Sequence, residues 1–301
     1  MPEALVRGVG WSASASVVLS VMADGVAAEL PLPPEGVFGF RVRDPRKHCL
    51  GFSRVHGRSA SMHLPCPEAS LAERGYQCGP CFGRDEFRFM HDFHRGGVAP
   101  AGLRDYLAQP HWLYIATFAH GASKVGTASD LRKWIRLAEQ GAVAAQYVAH
   151  ADDGRIVRIL EDSVSSGLEL PQQIRSAAKA AALVAADGPS LGAVEAANAE
   201  VAHRVRNHLA GVGVAGFRVV DEPWTLPEAA RKLLAVRPRE AYPLPLLEGA
   251  HGLPLNGVLG SFVLSSLEGH DFIADLAQLK GRIIEAGNFR SELPSLQDSL
   301  F

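Results

Sequence analysis

The sequence predicts an α+β protein in three parts, because the pattern of apolar residues changes twice along the chain. Apolar and polar residues alternate through residues 5–43, which is typical of strands with one buried face. Between about residues 105 and 234 strand patterns alternate with helical ones, and residues 251–269 resemble short strands joined by turns. We therefore expect a β-rich, cysteine-containing module at 1–100, an α/β domain at 101–236, and a small β-rich part at 237–301. The residues of this last part that follow Asn288 are expected to be a flexible tail.

Composition excludes several classes of protein. The 301 residues are 47% hydrophobic and 21% charged, which is unlike collagen, a coiled coil or a disordered chain. The net charge of -2 excludes a wholly basic surface, although it leaves room for a local basic patch. No apolar run reaches the roughly 18–20 residues of a membrane span, so we expect no membrane association. The alternation through residues 11–23 predicts one strand rather than a signal peptide, and hence a cytoplasmic, reducing location.

All four cysteines lie close together in the sequence, at Cys49, Cys66, Cys78 and Cys81. The last two form a C-x-x-C pair, whose spacing supplies two ligands of a tetrahedral zinc ion. The other two are spaced more widely than in common zinc ribbons. We expect one structural Zn²⁺ bound by all four thiolates, because four thiolates leave no open position for water.

Other interpretations of this segment remain open at the level of sequence. Five histidines lie in or near it and offer substitutes for one cysteine: His48, His56, His63, His91 and His94. Cys78-Gly79-Pro80-Cys81 is also the dithiol of thioredoxin-like redox proteins, which needs a strand before it and a helix after it. The polar residues before it and Phe82-Gly83-Arg84 after it predict neither. Four unlinked core cysteines are the third interpretation.

A basic stretch surrounds the first cysteine. Between residues 41 and 58 a single acidic residue, Asp44, is set against six basic ones: Arg41, Arg43, Arg46, Lys47, Arg54 and Arg58. Such a patch neutralises phosphates, so we expect it to contact nucleic acid, DNA or RNA. A solvated strand face is the alternative.

The central region predicts the order β-β-α-β-α. Strands are expected at 112–118, 124–127 and 142–149, with a helix from Ser129 or Asp130 to Gln140 and a second helix after Gly154. A buried face is predicted on the first helix from residues at i, i+3, i+4 and i+7, namely Leu131, Trp134, Ile135 and Ala138. Arg132 and Arg136 share another face of that helix, where Arg132 is a further candidate for nucleic-acid contact.

These elements and their polar residues resemble the GIY-YIG nuclease superfamily. In that family two tyrosine-bearing strands, a helix arginine and a metal-binding glutamate on the next helix surround one scissile phosphate. The resemblance implies that Tyr114, Arg136 and Glu161 take the places of the first tyrosine, the arginine and the glutamate. Lys124 stands where the second motif generally has tyrosine. The cysteines, the string KVG and the later QGA also resemble the bacterial domain-of-unknown-function 2797 family, across residues 49–164.

The chemistry implied by the resemblance is phosphodiester cleavage with Mg²⁺ or Mn²⁺. Glu161 is a suitable oxygen ligand for such an ion. Arg136 is expected to hold phosphate oxygens, and Tyr114 to orient or deprotonate water with the help of Lys124. The alternative is a catalytically silent zinc-containing adaptor that binds nucleic acid or a protein partner. A thiol redox protein is the remote alternative.

Overall fold

The structure of the protein is a computed structural model, and it describes residues 3–33, 35–58, 61–91, 93 and 96–293. The strands are β1 (Glu3–Trp11), β2 (Val17–Ala23), β3 (Val26–Pro31), β4 (Val37–Asp44), β5 (Phe52–Val55), β6 (Ser61–Leu64), β7 (His111–Thr117), β8 (Ser123–Ser129), β9 (Ala144–Ala151), β10 (Phe217–Pro223), β11 (Glu240–Ala241), β12 (Ala250–Pro254), β13 (Gly257–Leu259), β14 (Phe262–Leu267), β15 (His270–Asp275) and β16 (Ile283–Ala286). The helices are α1 (Gly79–Arg84), α2 (Ala101–Leu107), α3 (Lys133–Gln140), α4 (Gly154–Leu168), α5 (Ser176–Val184), α6 (Leu191–Ala210) and α7 (Glu228–Ala235). This mixture of helices and several sheets confirms the predicted α+β class.

The largest sheet joins the two ends of the chain. Its six strands lie in the order β12-β4-β16-β1-β2-β3, and all neighbours are antiparallel. The segments predicted as separate parts at 1–100 and 237–301 therefore share one sheet. The single strand expected at 11–23 is two strands, because the chain turns at residues 12–16, where Ala15 has a positive φ of 60°. Ser12, Ser14 and Ser16, which were predicted to lie on one face of a strand, form this turn instead.

The segment after β16 is fastened to the same sheet. Phe289 lies under the guanidinium of Arg41, 4.7 Å from ring centre to Cζ, and the Ser291 hydroxyl is 2.7 Å from the Tyr242 hydroxyl. The first residues of the tail expected to be flexible are thus held in place. Residues 294–301 lie outside the described part of the chain.

The central sheet has four antiparallel strands in the order β10-β9-β7-β8. The three predicted strands are all found, and each bound lies within two residues of its predicted position. Strand β7 is buried on both faces. Leu113 and Ile115 pack with α4 and α6, whereas Trp112 and Tyr114 belong to the larger core shared with α3 and the six-stranded sheet.

Helix α3 begins later than predicted, and three of the four residues predicted to face the core do so: Ala138 is buried, and Trp134 and Ile135 pack against the core. A 3-10 turn at Asp130–Arg132 precedes it, and Gly141 ends it in the left-handed conformation, as its position predicted. Because a 3-10 turn has three residues per turn rather than 3.6, it rotates Leu131 away from the face of the helix. Leu131 is 61% exposed and Leu137 is buried, so the predicted burial of Leu131 is wrong.

Two smaller sheets complete the fold. Strands β11-β15-β14-β13 form one, and the β5-β6 hairpin forms the other beside the cysteines. None of the described helices combines the length and apolar composition that crossing a bilayer requires.

Gly39 and Gly252 allow the C-terminal segment to lie against the large sheet, because an added Cβ at either would collide with the backbone of residues 287–290, and Gly39 provides a test of this packing. A Cβ at Gly39 would collide with the carbonyl oxygen of Gly287, and the φ of Gly39 is compatible with alanine. We expect Gly39→Ala to lower the free energy of unfolding by about 1–3 kcal/mol. In Gly192→Ala, where the new Cβ meets open space in α6, we expect no loss. Urea denaturation measures both, and equal stability of the two variants would contradict this packing.

Candidate functional sites: a four-cysteine cluster and an arginine-lined cleft

The four cysteines converge on one point. Their sulfur atoms all lie within 4.8 Å of one another, and the Sγ atoms of Cys66 and Cys78 are 3.9 Å apart. A tetrahedral ion bound to four sulfurs at about 2.3 Å separates those sulfurs by roughly 3.8 Å, whereas a disulfide needs about 2.05 Å. The geometry therefore fits a metal site, and Cys49, Cys66, Cys78 and Cys81 can hold a metal ion.

Local backbone structure sets the positions of these sulfurs. Cys78 is the N-cap of α1 and Cys81 lies in its first turn, so the C-x-x-C pair is on one short helix. The backbone N–H groups of Gly51 and Cys78 donate to the Cys49 sulfur at 3.3 and 3.2 Å. Gly51 has a φ of +88°, and a Cβ there would collide with the Leu64 carbonyl, so only glycine permits this turn.

The surroundings of Cys49, Cys66 and Cys81 shift the pKa values of their thiols in different directions. Burial raises the pKa of Cys49 and of Cys81. Burial also acts to raise the pKa of Cys66, but hydrogen bonds from the backbone N–H groups of Ser70 and Glu68 outweigh it and lower that pKa to about 7. Backbone donors that favour a thiolate are the usual surroundings of a metal-bound sulfur.

The histidine alternative finds no support among the described side chains. The His48 ring lies 2.9 Å from an Asp44 carboxylate oxygen, and the His63 Nε2 lies 2.6 Å from the Leu50 carbonyl. His56 is exposed. The side chain of His91 and all of His94 lie outside the described part of the chain.

The redox alternative is only partly matched. A helix does follow Cys78, so the expectation that Phe82-Gly83-Arg84 prevents one is wrong; Pro80 in the first turn has a suitable fixed φ. Before the motif, however, the chain forms an isolated bridge between Arg74 and Gln77 rather than a strand. A dithiol mechanism also gives no reason for Cys49 and Cys66 to lie beside the pair.

The residues proposed for phosphate chemistry lie on four elements around one edge of the central sheet. Tyr114 on β7 is 1% exposed, Lys124 on β8 is 8% exposed and Glu161 on α4 is 4% exposed, whereas Arg136 on α3 is exposed. The Tyr114 ring lies across Gly126, where an added Cβ would be 2.5 Å from the tyrosine oxygen. Glycine in the KVG string is therefore needed to make room for Tyr114.

Hydrogen bonds hold these side chains in place. The Tyr114 hydroxyl accepts from Gln140 Nε2 at 2.7 Å, and Lys124 Nζ donates to the Gln172 carbonyl at 3.3 Å. Glu161 accepts from Arg158 at 2.6 Å. The carboxylate expected to bind a divalent ion is thus already paired with an arginine one helical turn before it.

Lys124 lies close to Tyr114, with Lys124 Nζ 5.8 Å from the centre of the tyrosine ring, and burial and neighbouring charges shift the pKa values of these side chains. Burial raises the pKa of Tyr114, against the opposing effect of Arg136. Burial, followed by repulsion from Arg136 and Lys179, lowers the pKa of Lys124 to about 8. Burial and Arg136 likewise lower the pKa of Lys179 to about 8. The site is an arrangement of partly buried cations, which costs free energy when no anion is present.

Sequence reasoning missed Lys179, Arg158 and Gln140 in this site. Lys179 Nζ donates to the Gln140 carbonyl at 2.8 Å and lies 4.0 Å from the centre of the Phe118 ring. Its signal was a single lysine within the alanine-rich run of α5, where nothing in the pattern distinguishes an exposed lysine from a buried one.

A cleft of about 490 Å³ runs along β8, the edge strand of the central sheet. Its walls hold three arginines, Arg132, Arg136 and Arg158, from the segment before α3, from α3 and from α4. Arg132 is ion-paired with Glu139 at 2.5 Å and is half exposed. Among the described residues, Arg136 is in no ion pair.

The basic stretch near Cys49 does not reach this cleft. Arg43 pairs with Glu285 at 2.5 Å and Arg46 with Asp44 at 2.6 Å. The remaining four are placed as follows: Arg41 over Phe289, Lys47 over Tyr76, Arg54 over Phe52, and Arg58 exposed. Glu285 therefore reduces the excess positive charge that was counted between residues 41 and 58. The sequence does not show this ion pair, because Glu285 meets Arg43 only through the pairing of β4 with β16.

Comparison of the chain with known proteins finds no matching protein family, curated protein or solved structure.

The cysteine cluster leads to a prediction about metal content. We expect the purified protein to contain about one tightly bound metal ion per chain, measured by mass spectrometry of the elements. Thiol titration should detect no reactive cysteine until a chelator is added, and Cys81→Ser should lose the ion. Four freely titrating thiols in a metal-free, folded protein would contradict the metal site.

The buried lysine leads to a prediction about pH. Because the pKa of Lys124 is about 8 in the folded chain and 10.5 ordinarily, its charge destabilises the fold below pH 8, and this cost disappears as the pH rises towards 10.5. We expect Lys124→Met to be more stable than the wild type by about 1–3 kcal/mol at pH 7 and by much less at pH 10.

Urea denaturation at the two pH values measures this difference. The matched control is Lys232→Met, since Lys232 is exposed and paired with Glu35 at 3.0 Å. If Lys124→Met differed from the wild type by the same amount at both pH values, the lowered pKa would be refuted.

Proposed function

We propose that this protein binds nucleic acid by gripping a backbone phosphate at the edge of the central sheet. The observation that carries the proposal is the convergence of Lys124, Arg136 and Lys179 beside the Tyr114 hydroxyl. Lys124 is buried and Lys179 is partly buried beside the exposed Arg136, and cations placed in this way destabilise a fold unless an anion binds between them. A phosphate offers the charge and the several acceptor oxygens that such a group of donors needs.

The resemblance to GIY-YIG nucleases supports the same ligand. Tyr114 lies on the central strand of the β8-β7-β9 arrangement, Arg136 lies on the helix that connects β8 to β9, and Glu161 lies on the helix that follows β9. Because the four side chains come from four elements, their shared location depends on the whole β-β-α-β-α unit. Membership of that superfamily, and of the related bacterial family of unknown function, is part of the proposal.

Cleavage of the bound strand is the stronger form of the proposal. Mg²⁺ or Mn²⁺, when bound by Glu161, would supply a Lewis acid for the leaving oxygen. The carboxylate oxygens of Glu161 are suitable ligands for such an ion, but one of them already accepts a hydrogen bond from Arg158 at 2.6 Å. Within this chain Arg136 would neutralise the phosphate and Tyr114 would orient the attacking water, with Lys124 as a proton acceptor near neutral pH.

A specific observation favours the silent adaptor as the second candidate. Arg158 neutralises Glu161, and Tyr114 is 1% exposed, so the two residues most needed for cleavage are both engaged with protein groups. Such a site binds phosphate without cutting it. An adaptor of this kind would use the cleft to hold nucleic acid or a protein partner.

The metal ion of the cysteine cluster is proposed to be zinc in a structural role. Four thiolates complete a tetrahedral shell, and zinc prefers such ligands without taking part in electron transfer. The ion would link the loops that carry Cys49 and Cys66 to α1. A reducing compartment such as the cytoplasm would keep all four thiolates available.

Phosphate binding is tested with Arg136→Ala. We expect this variant to bind a fluorescently labelled oligonucleotide about tenfold more weakly than the wild type, with the salt dependence of binding reduced by about one phosphate contact. Arg155→Ala is the matched control, because Arg155 is exposed on α4 and does not line the cleft. Equal losses in the two variants would refute a specific phosphate site.

Cleavage is tested by comparing the wild type with Glu161→Gln in the presence of Mg²⁺ or Mn²⁺. A nuclease should lose nearly all cleavage in the variant and keep its binding, because the amide fits the same space but is a poor ligand for a divalent ion. Equal cleavage by both proteins would reject this site. Binding without cleavage by the wild type would identify the adaptor.

A further inference from the structure

The arginine-lined cleft also has an aromatic and apolar side that phosphate binding alone does not use. Phe87 and Met90 reach it from the cysteine module, Tyr106 from α2 and Leu131 from the 3-10 turn before α3. The cleft is about 490 Å³, within the range of about 300–1,000 Å³ usual for sites of small molecules. Its chemistry combines cations with aromatic faces, which is the combination that binds phosphate and base together.

The two aromatic rings are held in fixed positions. The Tyr106 hydroxyl donates to the Ser129 hydroxyl at 3.3 Å, which ties α2 to β8. Phe87 packs edge-to-face against Tyr106 with ring centres 5.8 Å apart, and its backbone N–H donates to Asp85 at 2.9 Å. Both rings are partly exposed. A ring already held in place loses little conformational entropy when a base stacks on it.

Two further residues suit a nucleobase. Leu131 is apolar yet 61% exposed at the cleft, because the 3-10 turn rotates it away from the core. His111 is 6% exposed, and its Nδ1 donates to the Gln109 carbonyl at 2.8 Å. In this tautomer Nε2 is left as a hydrogen-bond acceptor, and the exocyclic amino groups of bases are donors.

We propose that the cleft binds an unpaired nucleotide, with its base against Phe87 and Tyr106 and its phosphate on Arg136, the residue that lines the cleft and also belongs to the proposed phosphate site. This inference rests on the proposed function and names its substrate class: single strands, overhangs or flaps of DNA or RNA. Bases within a duplex are stacked and paired, so they cannot enter a cleft between two parts of a protein unless they leave the helix. An unpaired base enters without that cost.

Hydrogen bonds connect the cysteine cluster to Phe87 on the aromatic side of the cleft. Helix α1 starts at the Cys78 cap and ends where the Asp85 N–H donates to the Cys81 carbonyl at 3.0 Å. Asp85 then fixes Phe87 through one carboxylate oxygen and accepts from Gln77 and Ser53 through the other. The position of Phe87 therefore depends directly on the fold around the four cysteines.

The test measures binding of three labelled oligonucleotides with equal numbers of phosphates: a blunt duplex, a duplex with a three-nucleotide overhang, and the same overhang with abasic sites. DNA and RNA versions of each distinguish the two sources of the nucleotide. We expect the overhang to bind about tenfold more tightly than the blunt duplex and the abasic overhang to lose that gain, because one stacked base is worth about a factor of ten or more.

Variants separate the base from the phosphate. Phe87→Leu keeps an apolar side chain in the core but has no aromatic face, so it should bind the overhang and the blunt duplex equally. Met62→Ala, which removes an exposed apolar side chain of the same module outside the cleft, should keep the tenfold gain. Thermal melts confirm that each variant is folded.

The failures of the two proposals are distinguishable. If wild type and Phe87→Leu show no preference for the overhang while Arg136→Ala still weakens all binding, the base site is overturned and the phosphate site stands. If Phe87→Leu keeps the full preference, the base site is also overturned. If no oligonucleotide binds to the wild type, both proposals fall.

Discussion

The insertion of β16 between β1 and β4 is the interaction on which the rest of the molecule depends. Residues near the C-terminus complete a sheet whose other strands come mainly from the first 44 residues, with Leu5 opposite Ile283 and Asp44 also opposite Ile283 on the other side. The cysteine segment and the central domain both lie in the chain between β4 and β16. Closing the sheet therefore holds both against a common support. Contacts between such distant residues form late and slowly, because a long loop must be closed first.

The large sheet also positions α3, whose Arg136 lines the cleft. Trp11, at the end of β1, donates to the Gly260 carbonyl at 3.0 Å and packs edge-to-face on Trp134 of α3, with ring centres 6.3 Å apart. Trp134 in turn packs against Trp224, which follows β10. This row of three indoles fixes α3, the helix that carries Arg136, relative to the large sheet. The position of the exposed arginine is thus set by buried aromatic packing on the other side of its helix.

The positive charges of the phosphate site lower the stability of the folded chain. Burial, with repulsion from Arg136 as the second cause, lowers the pKa of both Lys124 and Lys179 to about 8. Hydrophobic residues of similar size would fold more stably in these positions. Conflict between stability and local charge is typical of sites that bind or react, because the ligand supplies the missing charge. Glu161 compensates only in part, since it is already paired with Arg158.

Part of the fold could be predicted because its signals are local. The strands β7 and β9, the glycine that ends α3 and the turn that leads into α4 each depend on residues within a few positions of one another. The failures have equally specific reasons. The alternation of serines with apolar residues predicted one strand where the chain turns between β1 and β2. Leu131 was predicted to be buried because its spacing was counted for an α-helix, whereas it lies in a 3-10 turn with three residues per turn. A short helix contains Phe82-Gly83-Arg84 although these residues favour none; Pro80 suits its first turn, and Cys78 and Cys81 connect it to the cysteine cluster.

By itself the sequence determined which side chains were available: four cysteines within one segment, and a tyrosine, a lysine, an arginine and a glutamate in a recognisable order. Tertiary structure alone decided which of them meet. In the folded chain the four sulfurs lie within 4.8 Å of one another, and Lys179 and Arg158 lie close enough to Lys124 to affect its pKa. Glu285 forms an ion pair with Arg43. The physical reason is that side-chain type and periodicity are properties of neighbouring residues, whereas charge pairing and burial depend on strands and helices that only the closed sheet places together.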